Sequence, residues 1–226
     1  VICDPSAKVK ASLRNGHFLP SMAIVDPLLT LSCPARITAY SGMDAITQAI
    51  ESFVSIHAGP LSDAFAFEAF RLLWGNVERA FADGADLSAR EACSYGSLMA
   101  GISLANARLG AVHGMAHPLG VRYGIPHGLI CAALLPGVTL INLPCSAAKY
   151  GRLSALVAGD LVGEIDALNV RLGIYDDLAT YRIPKADFAL IADESMPSGS
   201  LKANPKTFTR EDVVGVLEAL TRRAGG

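Results

Sequence analysis

The sequence predicts a mainly α-helical fold in which two short strands precede eight or nine helices. The main observation is a change of hydrophobic pattern at Pro34. Before this residue, apolar residues alternate with polar ones or form short runs, as in strands. After it, they recur every three or four positions, as on one face of a helix. A content of 51% hydrophobic residues among 226 is enough for helices that are buried on more than one side.

Two segments near the start of the chain are predicted to be strands. Residues 8–14 alternate polar and apolar side chains, and residues 21–26 form a short apolar run that ends at Asp26-Pro27. Both patterns are typical of strands with turns between them.

Capping patterns are expected to open several of the helices that follow. In these patterns a Ser or Thr precedes an acidic residue by three positions, so that each side chain can bond the other's backbone N–H. They occur at Ser41 and Asp44, at Ser88 and Glu91, and at Thr209 and Asp212. Ser62 is expected to cap a helix that runs to about residue 83.

Prolines are expected to set the ends of the central helices. Pro118 should end a helix over residues 112–117, because proline disfavours helical geometry in the residue before it. Pro126 suits the first turn of the next helix, which should break at Pro136-Gly137 and resume to about residue 142. The remaining helices are expected over residues 92–109, 147–158, 162–172, 186–193 and 209–224.

Charge and apolar run length argue against two classes of protein. Nineteen basic and 21 acidic residues give a net charge of −2 without any basic block, which excludes an electrostatic nucleic-acid binder. The longest apolar stretch, at about residues 129–143, is interrupted by Pro136 and is shorter than the roughly 20 residues of a membrane span. No basic and apolar leader segment opens the sequence. We therefore expect neither a membrane protein nor a secreted one.

The cysteines point to the same conclusion. Their number is five, which is odd, and no two have C-x-x-C spacing. This usage is typical of reduced thiols in the cytoplasm, and it argues against both a disulfide framework and a thiolate zinc site.

Three histidines lie close together in small, apolar surroundings. His113, His117 and His127 are flanked by glycines, which let other groups approach closely. A buried imidazole is costly unless its ring nitrogens have partners, so each could simply be a core histidine bonded to backbone carbonyls. Three together favour a functional cluster. The spacing of His113 and His117 matches the zinc-protease pattern H-E-x-x-H, but Gly114 replaces the general base of that pattern.

A metal site at these histidines would need a carboxylate from elsewhere in the chain. Asp44 is the candidate, since it lies on an apolar helix with Gln48 one turn further along the same face. Asp44 could instead serve only in the capping pattern with Ser41. Spacing alone leaves both roles open.

Two long segments resemble the motifs of the iron-containing (group III) alcohol dehydrogenases. The first covers residues 41–51, and the second covers residues 106–120 followed by Ile125-Pro-His-Gly128. Shorter matches lie at residues 23–27, 135–138 and 203–209. The resemblance implies the helical metal-binding domain of the fold that this family shares with dehydroquinate synthase. Residues 1–29 would be the tail of an NAD(P)-binding α/β domain, and residues 30–226 the catalytic domain.

The same resemblance assigns roles to individual residues. Its metal ligands fall on Asp44, His113, His127 and Gln48, the last at a position where the family usually has histidine. His117 matches the residue assigned to proton relay. Contacts to the dinucleotide are implied for Lys10 and Leu28.

The implied reaction is hydride transfer between a small alcohol or aldehyde and NAD or NADP, with Fe²⁺ or Zn²⁺ as Lewis acid. A homo-oligomer is also implied. The sequence has no Gly-rich dinucleotide-binding loop, so we expect these residues alone to bind metal without turning over alcohol. Alternatives are a glycerol-dehydrogenase-like or dehydroquinate-synthase-like zinc enzyme, a non-heme Fe(II) oxygenase, and a helical interaction module without activity.

Overall fold

The structure is a computed structural model that describes residues 2–4, 9–11, 15–18 and 20–224, with side chains for 15–18 and 20–223. Strands β1 (Ile2–Asp4) and β2 (Val9–Ala11) form an antiparallel hairpin with Cys3 opposite Lys10. The described part contains eleven α-helices. They are α1 (Ala35–Val54), α2 (Pro60–Leu73), α3 (Asn76–Ala82), α4 (Leu87–Ala107), α5 (Ala111–Tyr123), α6 (His127–Asn142), α7 (Ala147–Ser154), α8 (Leu161–Arg171), α9 (Ile174–Ala179), α10 (Phe188–Ser195) and α11 (Arg210–Ala224).

Two helices form the centre of the fold. Helix α1 packs against α2, α4 and α6, and α6 also packs against α5, α8 and α11. Most residues of α6 are buried, which explains why its apolar residues show no single face. The mainly helical fold predicted from the sequence is confirmed.

The predicted strands are half right. Strand β2 lies within the predicted segment 8–14, but it pairs with β1, and residues 21–26 form no strand. Their side chains find no sheet to pack on: Met22 is 76% exposed and Ile24 is 86% exposed. The Asp26 carboxylate instead accepts from the N–H of Leu28 and opens a 3-10 turn, Pro27–Thr30.

Helix α1 begins earlier than its capping pattern predicts. It starts at Ala35 after Pro34, and the Ser41 hydroxyl donates to the carbonyl of Ile37 inside the helix. The prediction that Ser41 and Asp44 cap this helix is therefore wrong. The buried side chains of Thr38, Ala39 and Tyr40 explain the earlier start, because packing rewards the extra turn.

The other predicted starts have mixed outcomes. Asp86, rather than Ser88, caps α4 by accepting from the N–H of Ala89 at 3.0 Å. At the start of α2, Ser62 is the third helical residue, and its hydroxyl oxygen accepts from the N–H of Gly59 at 2.9 Å. The helix predicted to run from there to residue 83 is divided into α2 and α3 at Gly75, whose φ is +79°.

Two prolines that were predicted to end or break helices lie inside them. Helix α5 continues through Pro118 to Tyr123, and α6 continues through Pro136 to Asn142. Each proline removes one backbone hydrogen bond, but both are buried in the packed interior, which outweighs the local preference.

An uninterrupted α6 also changes the argument about membranes. The stretch His127–Cys145 has a mean hydropathy of 1.8 and is long and apolar enough to cross a membrane. The expectation that no stretch would be long enough is therefore wrong. Since 61% of this stretch is buried inside the protein, burial as a core helix accounts for its composition.

Candidate metal centre

Four potential metal ligands from three helices converge in the structure. They are Asp44 on α1, His113 on α5, and His127 and Cys131 on α6, and one donor atom of each lies within 4.8 Å of the others. The Asp44 Oδ1 atom lies 3.2 Å from His113 Nε2 and 3.7 Å from His127 Nε2. The Cys131 Sγ atom lies 3.6 Å from His127 Nε2.

A close approach of two helices brings His127 to Asp44. His127 is the first residue of α6, and Gly128 follows it. A Cβ atom on Gly128 would lie 2.3 Å from the carbonyl oxygen of Tyr40 on α1, so a residue with a side chain cannot occupy this contact. The glycine thus lets the N-terminus of α6 lie against α1, beside the carboxylate.

The buried carboxylate of Glu51 fixes His113. One oxygen, Oε2, lies 2.6 Å from His113 Nδ1, and the other accepts from the N–H of Val112 at 2.6 Å. Bonding at Nδ1 directs the opposite nitrogen, Nε2, towards Asp44. This carboxylate–imidazole pairing is the usual support for a metal-binding histidine. At Gly110 an added Cβ would lie 2.8 Å from Glu51 Oε1, so a small residue is needed there too.

A pair of buried asparagines completes the support of α5. The Asn204 Oδ1 atom accepts from the N–H of Ala111 at 3.2 Å and from Asn142 Nδ2 at 2.9 Å. Asn204 belongs to the segment 203–209 that resembles the family. The structure gives this residue a role at the first turn of α5.

Gln48 and His117 lie around the cluster. The Gln48 amide nitrogen donates to Asp44 Oδ2 at 3.0 Å, which leaves Oδ1 turned to the histidines. The ring of His117 is half-buried, and its centroid lies 6.2 Å from that of His127. Metal ligation by Gln48 and proton relay by His117 stay predictions.

The two residues predicted to contact the dinucleotide lie near the start of the chain. Lys10 is in β2, and its side chain is outside the described part of the structure. Leu28 is 56% exposed in the 3-10 turn before α1. Their proposed contacts stay predictions.

Burial and charge act in opposite directions on the pKa values of the clustered residues. Burial alone would raise the pKa of Asp44, but His113 and His127 together hold it below its ordinary value. Burial would lower the pKa of His113, yet the adjacent Cys131, Asp44 and Glu51 groups hold it well above its ordinary value. Burial raises the pKa of Cys131 to about 12.

These atoms suit a divalent cation. Asp44 Oδ1 and His113 Nε2 are buried, and neither makes a hydrogen bond of good geometry to any described residue. Such groups are costly unless something else satisfies them. A carboxylate oxygen, two imidazole nitrogens and a sulfur are donors that Zn²⁺ accepts, and the nitrogens also suit Fe²⁺.

Sequence reasoning found three of the four clustered residues and missed Cys131 and the supporting Glu51. Both could have been found from helical spacing. Glu51 is seven residues after Asp44 and so lies on the same face of α1, and Cys131 is one turn after His127. The cysteine spacing that argued against a thiolate site could not detect a single thiol joining other ligands.

Comparisons with known proteins agree with this geometry. A profile of the family described as "Fe-containing alcohol dehydrogenase family, C-terminal" matches residues 38–221. The 1,3-propanediol dehydrogenase of Klebsiella pneumoniae is 36% identical over 229 residues, which cover 96% of this chain and 59% of that protein. The NAD-dependent methanol dehydrogenase of Bacillus methanolicus is 31% identical, and the match covers 96% of this chain and 60% of that protein.

A solved structure gives the same result. That of sulfoacetaldehyde reductase from Bifidobacterium kashiwanohense in complex with NAD+ matches with a TM-score of 0.88 and 30% identity, over 97% of this chain and 59% of that one. The chain spans less than two thirds of the length of these relatives.

Proposed function

The chain belongs to the iron-containing alcohol dehydrogenase family, and we propose that it carries the metal centre of an oxidoreductase that transfers hydride between an alcohol and NAD(P). The observation that carries this proposal is the convergence of Asp44, His113 and His127 from three separate helices. Their donor atoms meet although His127 lies 83 positions after Asp44 in the sequence.

The chain's own residues prepare this site for chemistry. Asp44 supplies a negative charge, and Glu51 keeps the Nε2 atom of His113 directed at it. A divalent cation bound there would act as a Lewis acid on the oxygen of an alcohol or aldehyde. His117 lies beside the ring of His127, where it can carry a proton between the reacting oxygen and solvent.

Several finer assignments belong to the same proposal. We expect Fe²⁺ or Zn²⁺, NAD or NADP, a small alcohol or aldehyde, a homo-oligomer and a cytoplasmic location. Residues 1–29 would belong to the nucleotide-binding domain, with Lys10 and Leu28 near the dinucleotide. The relatives' names support this choice, since they include an NAD-dependent dehydrogenase and a reductase in complex with NAD+.

Metal analysis of variants tests the centre. We expect the purified chain to hold close to one equivalent of metal, and His113→Gln and Asp44→Asn to lose most of it. His57→Gln is the matched control, because His57 is exposed in the loop after α1. Equal metal content in all four proteins would show that the cluster binds no metal.

Activity assays test the reaction. Joined to the rest of a full-length protein, the chain should reduce short aldehydes with NADH or NADPH, and His113→Gln should abolish this. The 226 residues alone should not, because they contain no Gly-rich dinucleotide loop. Robust turnover by these residues alone would contradict that part of the proposal.

A further inference from the structure

Cys131 is directed into the cluster rather than into the apolar core alone. It is fully buried on α6, and its Sγ atom lies 3.6 Å from His127 Nε2. Buried cysteines commonly act as small apolar residues. Here, however, the sulfur lies within 4.8 Å of the carboxylate and imidazole donors of all three other clustered residues.

The distances between donor atoms fit four ligands around one small cation. Zinc bonds of about 2.1 Å to oxygen or nitrogen place tetrahedral ligand atoms about 3.4 Å apart, and a sulfur at about 2.3 Å lies about 3.6 Å from a nitrogen. The structure has 3.2 and 3.7 Å between Asp44 Oδ1 and the two histidine nitrogens, and 3.6 Å between Cys131 Sγ and His127 Nε2. These three distances match the spacing of a tetrahedral site, and all the donor atoms lie within 4.8 Å of one another.

Gln48 holds the carboxylate of Asp44. Its amide nitrogen donates to Asp44 Oδ2, whereas Oδ1 is the oxygen that lies beside the histidines. The bond orients the carboxylate so that Oδ1 lies towards the histidines.

Accepting the proposed metal centre, we propose that Cys131 is its fourth protein ligand, and that its sulfur makes the site prefer zinc. Thiolates favour zinc, whereas oxygen donors favour magnesium or manganese. As the sulfur–metal bond forms, the S–H proton passes to solvent, and no electron is transferred. With four protein ligands, a substrate oxygen would enter as a fifth ligand, an expansion that catalytic zinc sites undergo in the transition state.

Cobalt spectroscopy tests this ligand directly. Metal-free protein is loaded with Co²⁺, and its absorption is recorded in the visible and near-ultraviolet ranges. Thiolate ligation gives an intense near-ultraviolet sulfur-to-cobalt charge-transfer band, and tetrahedral cobalt of any ligand set gives visible d–d bands. We expect both in the wild type, and we expect Cys131→Ser to lose the charge-transfer band while it keeps bound cobalt.

Two variants serve as controls. Cys93→Ser replaces a half-buried cysteine on α4 that is outside the cluster, and it should keep the band. Cys131→Ala, which adds no hydroxyl to the interior, tests the same ligand if the serine variant misfolds. Thermal unfolding establishes that each variant is folded.

Zinc affinity gives a second readout. Loss of an outer-shell partner typically lowers metal affinity by about 10- to 100-fold. Loss of a direct ligand should cost more, so we expect Cys131→Ser to weaken zinc binding by more than 100-fold, with a smaller effect on iron. Competition with a chromophoric chelator measures both constants.

The possible failures are distinguishable. Bound cobalt with visible bands but no charge-transfer band in the wild type, or a band that persists in Cys131→Ser, would overturn the thiolate ligand and leave the metal centre intact. Absence of any bound cobalt or zinc in the wild type would overturn both this inference and the proposed function.

Discussion

Glu51 is the residue on which both the start of α5 and the orientation of His113 depend. One carboxylate oxygen accepts from the backbone of Val112, and the other bonds the imidazole. A helix N-terminus is favourable for a negative charge, which helps to offset the burial of this one. The same side chain therefore holds the helix and directs the ring.

We expect Glu51→Gln to weaken both functions. The carboxylate uses a different oxygen for each bond, and an amide replaces one of these oxygens by an NH2 group, so one of the two bonds is lost. Metal affinity should fall by about 10- to 100-fold, and the metal-free protein should lose about 1–3 kcal/mol of unfolding free energy. Chelator competition and urea unfolding measure these effects. Glu91→Gln, at an exposed position on α4, is the control, and equal losses in both variants would refute the argument.

At the scale of residues, most of the clustered side chains could be predicted from the sequence, but their arrangement in space could not. Asp44 could be read either as a cap or as a ligand, and the resemblance to the family supported the ligand role. The structure shows that it caps nothing, because α1 starts nine residues before it. Cys131 was missed because a search for paired cysteines ignores a thiol that joins other donors.

At the scale of the elements, glycines set how closely the helices that carry the clustered residues approach one another. Gly128 holds α6 against the backbone of α1 at Tyr40. Any side chain at this position would force the two helices apart and displace the neighbouring residue, His127. The packing of α6 on α1 and the formation of the cluster therefore both require a glycine at position 128.

Gly128→Ala should therefore separate the helices. We expect a loss of about 1–3 kcal/mol of unfolding free energy from overpacking, together with weaker metal binding. Gly101→Ala is the matched control, since no atom lies within 4 Å of its added Cβ in the middle of α4. It should stabilise the protein by about 0.5–1 kcal/mol. Similar behaviour of the two variants in thermal unfolding would contradict the close-approach argument.

The start of α11 depends on a charged capping pattern, as the sequence predicted. Thr209 donates its N–H to Asp212 Oδ2 at 2.9 Å, and Asp212 donates its N–H to the Thr209 hydroxyl at 3.2 Å. Burial tends to raise the pKa of Asp212, but the Lys206 ammonium and the Thr209 N–H lower it more. The folded protein therefore favours the charged carboxylate.

A group whose pKa is lower in the folded state stabilises the protein at pH values above its unfolded-state pKa, which is about 3.9 for aspartate. The stability difference between wild type and Asp212→Asn should thus be constant near pH 7 and should shrink as the pH falls through the folded-state pKa. Urea unfolding between pH 7 and pH 2 measures it. Asp193→Asn, which breaks an ion pair that is half exposed on both sides, should change stability little at any pH. A stability difference between wild type and Asp212→Asn that grows on acidification would contradict this prediction.

Helix positions were largely predictable from the sequence, but helix ends were not. The pattern at Thr209 and Asp212 was confirmed, because both of its reciprocal bonds form at the start of α11. The pattern at Ser41 failed because buried residues on its N-terminal side favour an earlier start. Pro118 and Pro136 were misjudged for the same reason, since local rules do not include the burial of a long helix.

At the scale of the whole molecule, the packed interior begins at α1. No side chain among residues 15–18 and 20–37 is buried, and the first buried one is Thr38, where the match to the family also begins. The buried guanidinium of Arg90 bonds Thr38 and the carbonyls of Gly84 and Cys33. These contacts hold the segment before α1 without using any earlier residue.

Removal of residues 1–29 should consequently leave a folded, metal-binding protein. We expect cooperative thermal unfolding and unchanged metal content, because the core and the bonds of Arg90 remain. Removal of residues 1–40 is the comparison, since it deletes the first six residues of α1 and the buried side chains there. If the shorter deletion alone abolished cooperative unfolding, the boundary between residues 29 and 30 would be misplaced.

The composition of α6 has a consequence for synthesis of the protein in the cell. Its neighbours α8 and α11 leave the ribosome after it, so for a time the nascent polypeptide exposes a stretch as hydrophobic as a transmembrane segment. Such a stretch is a substrate for chaperones and for membrane-insertion machinery until later helices cover it. Two of the proposed metal ligands, His127 and Cys131, lie on this helix, so formation of the proposed centre depends on protecting this segment during translation.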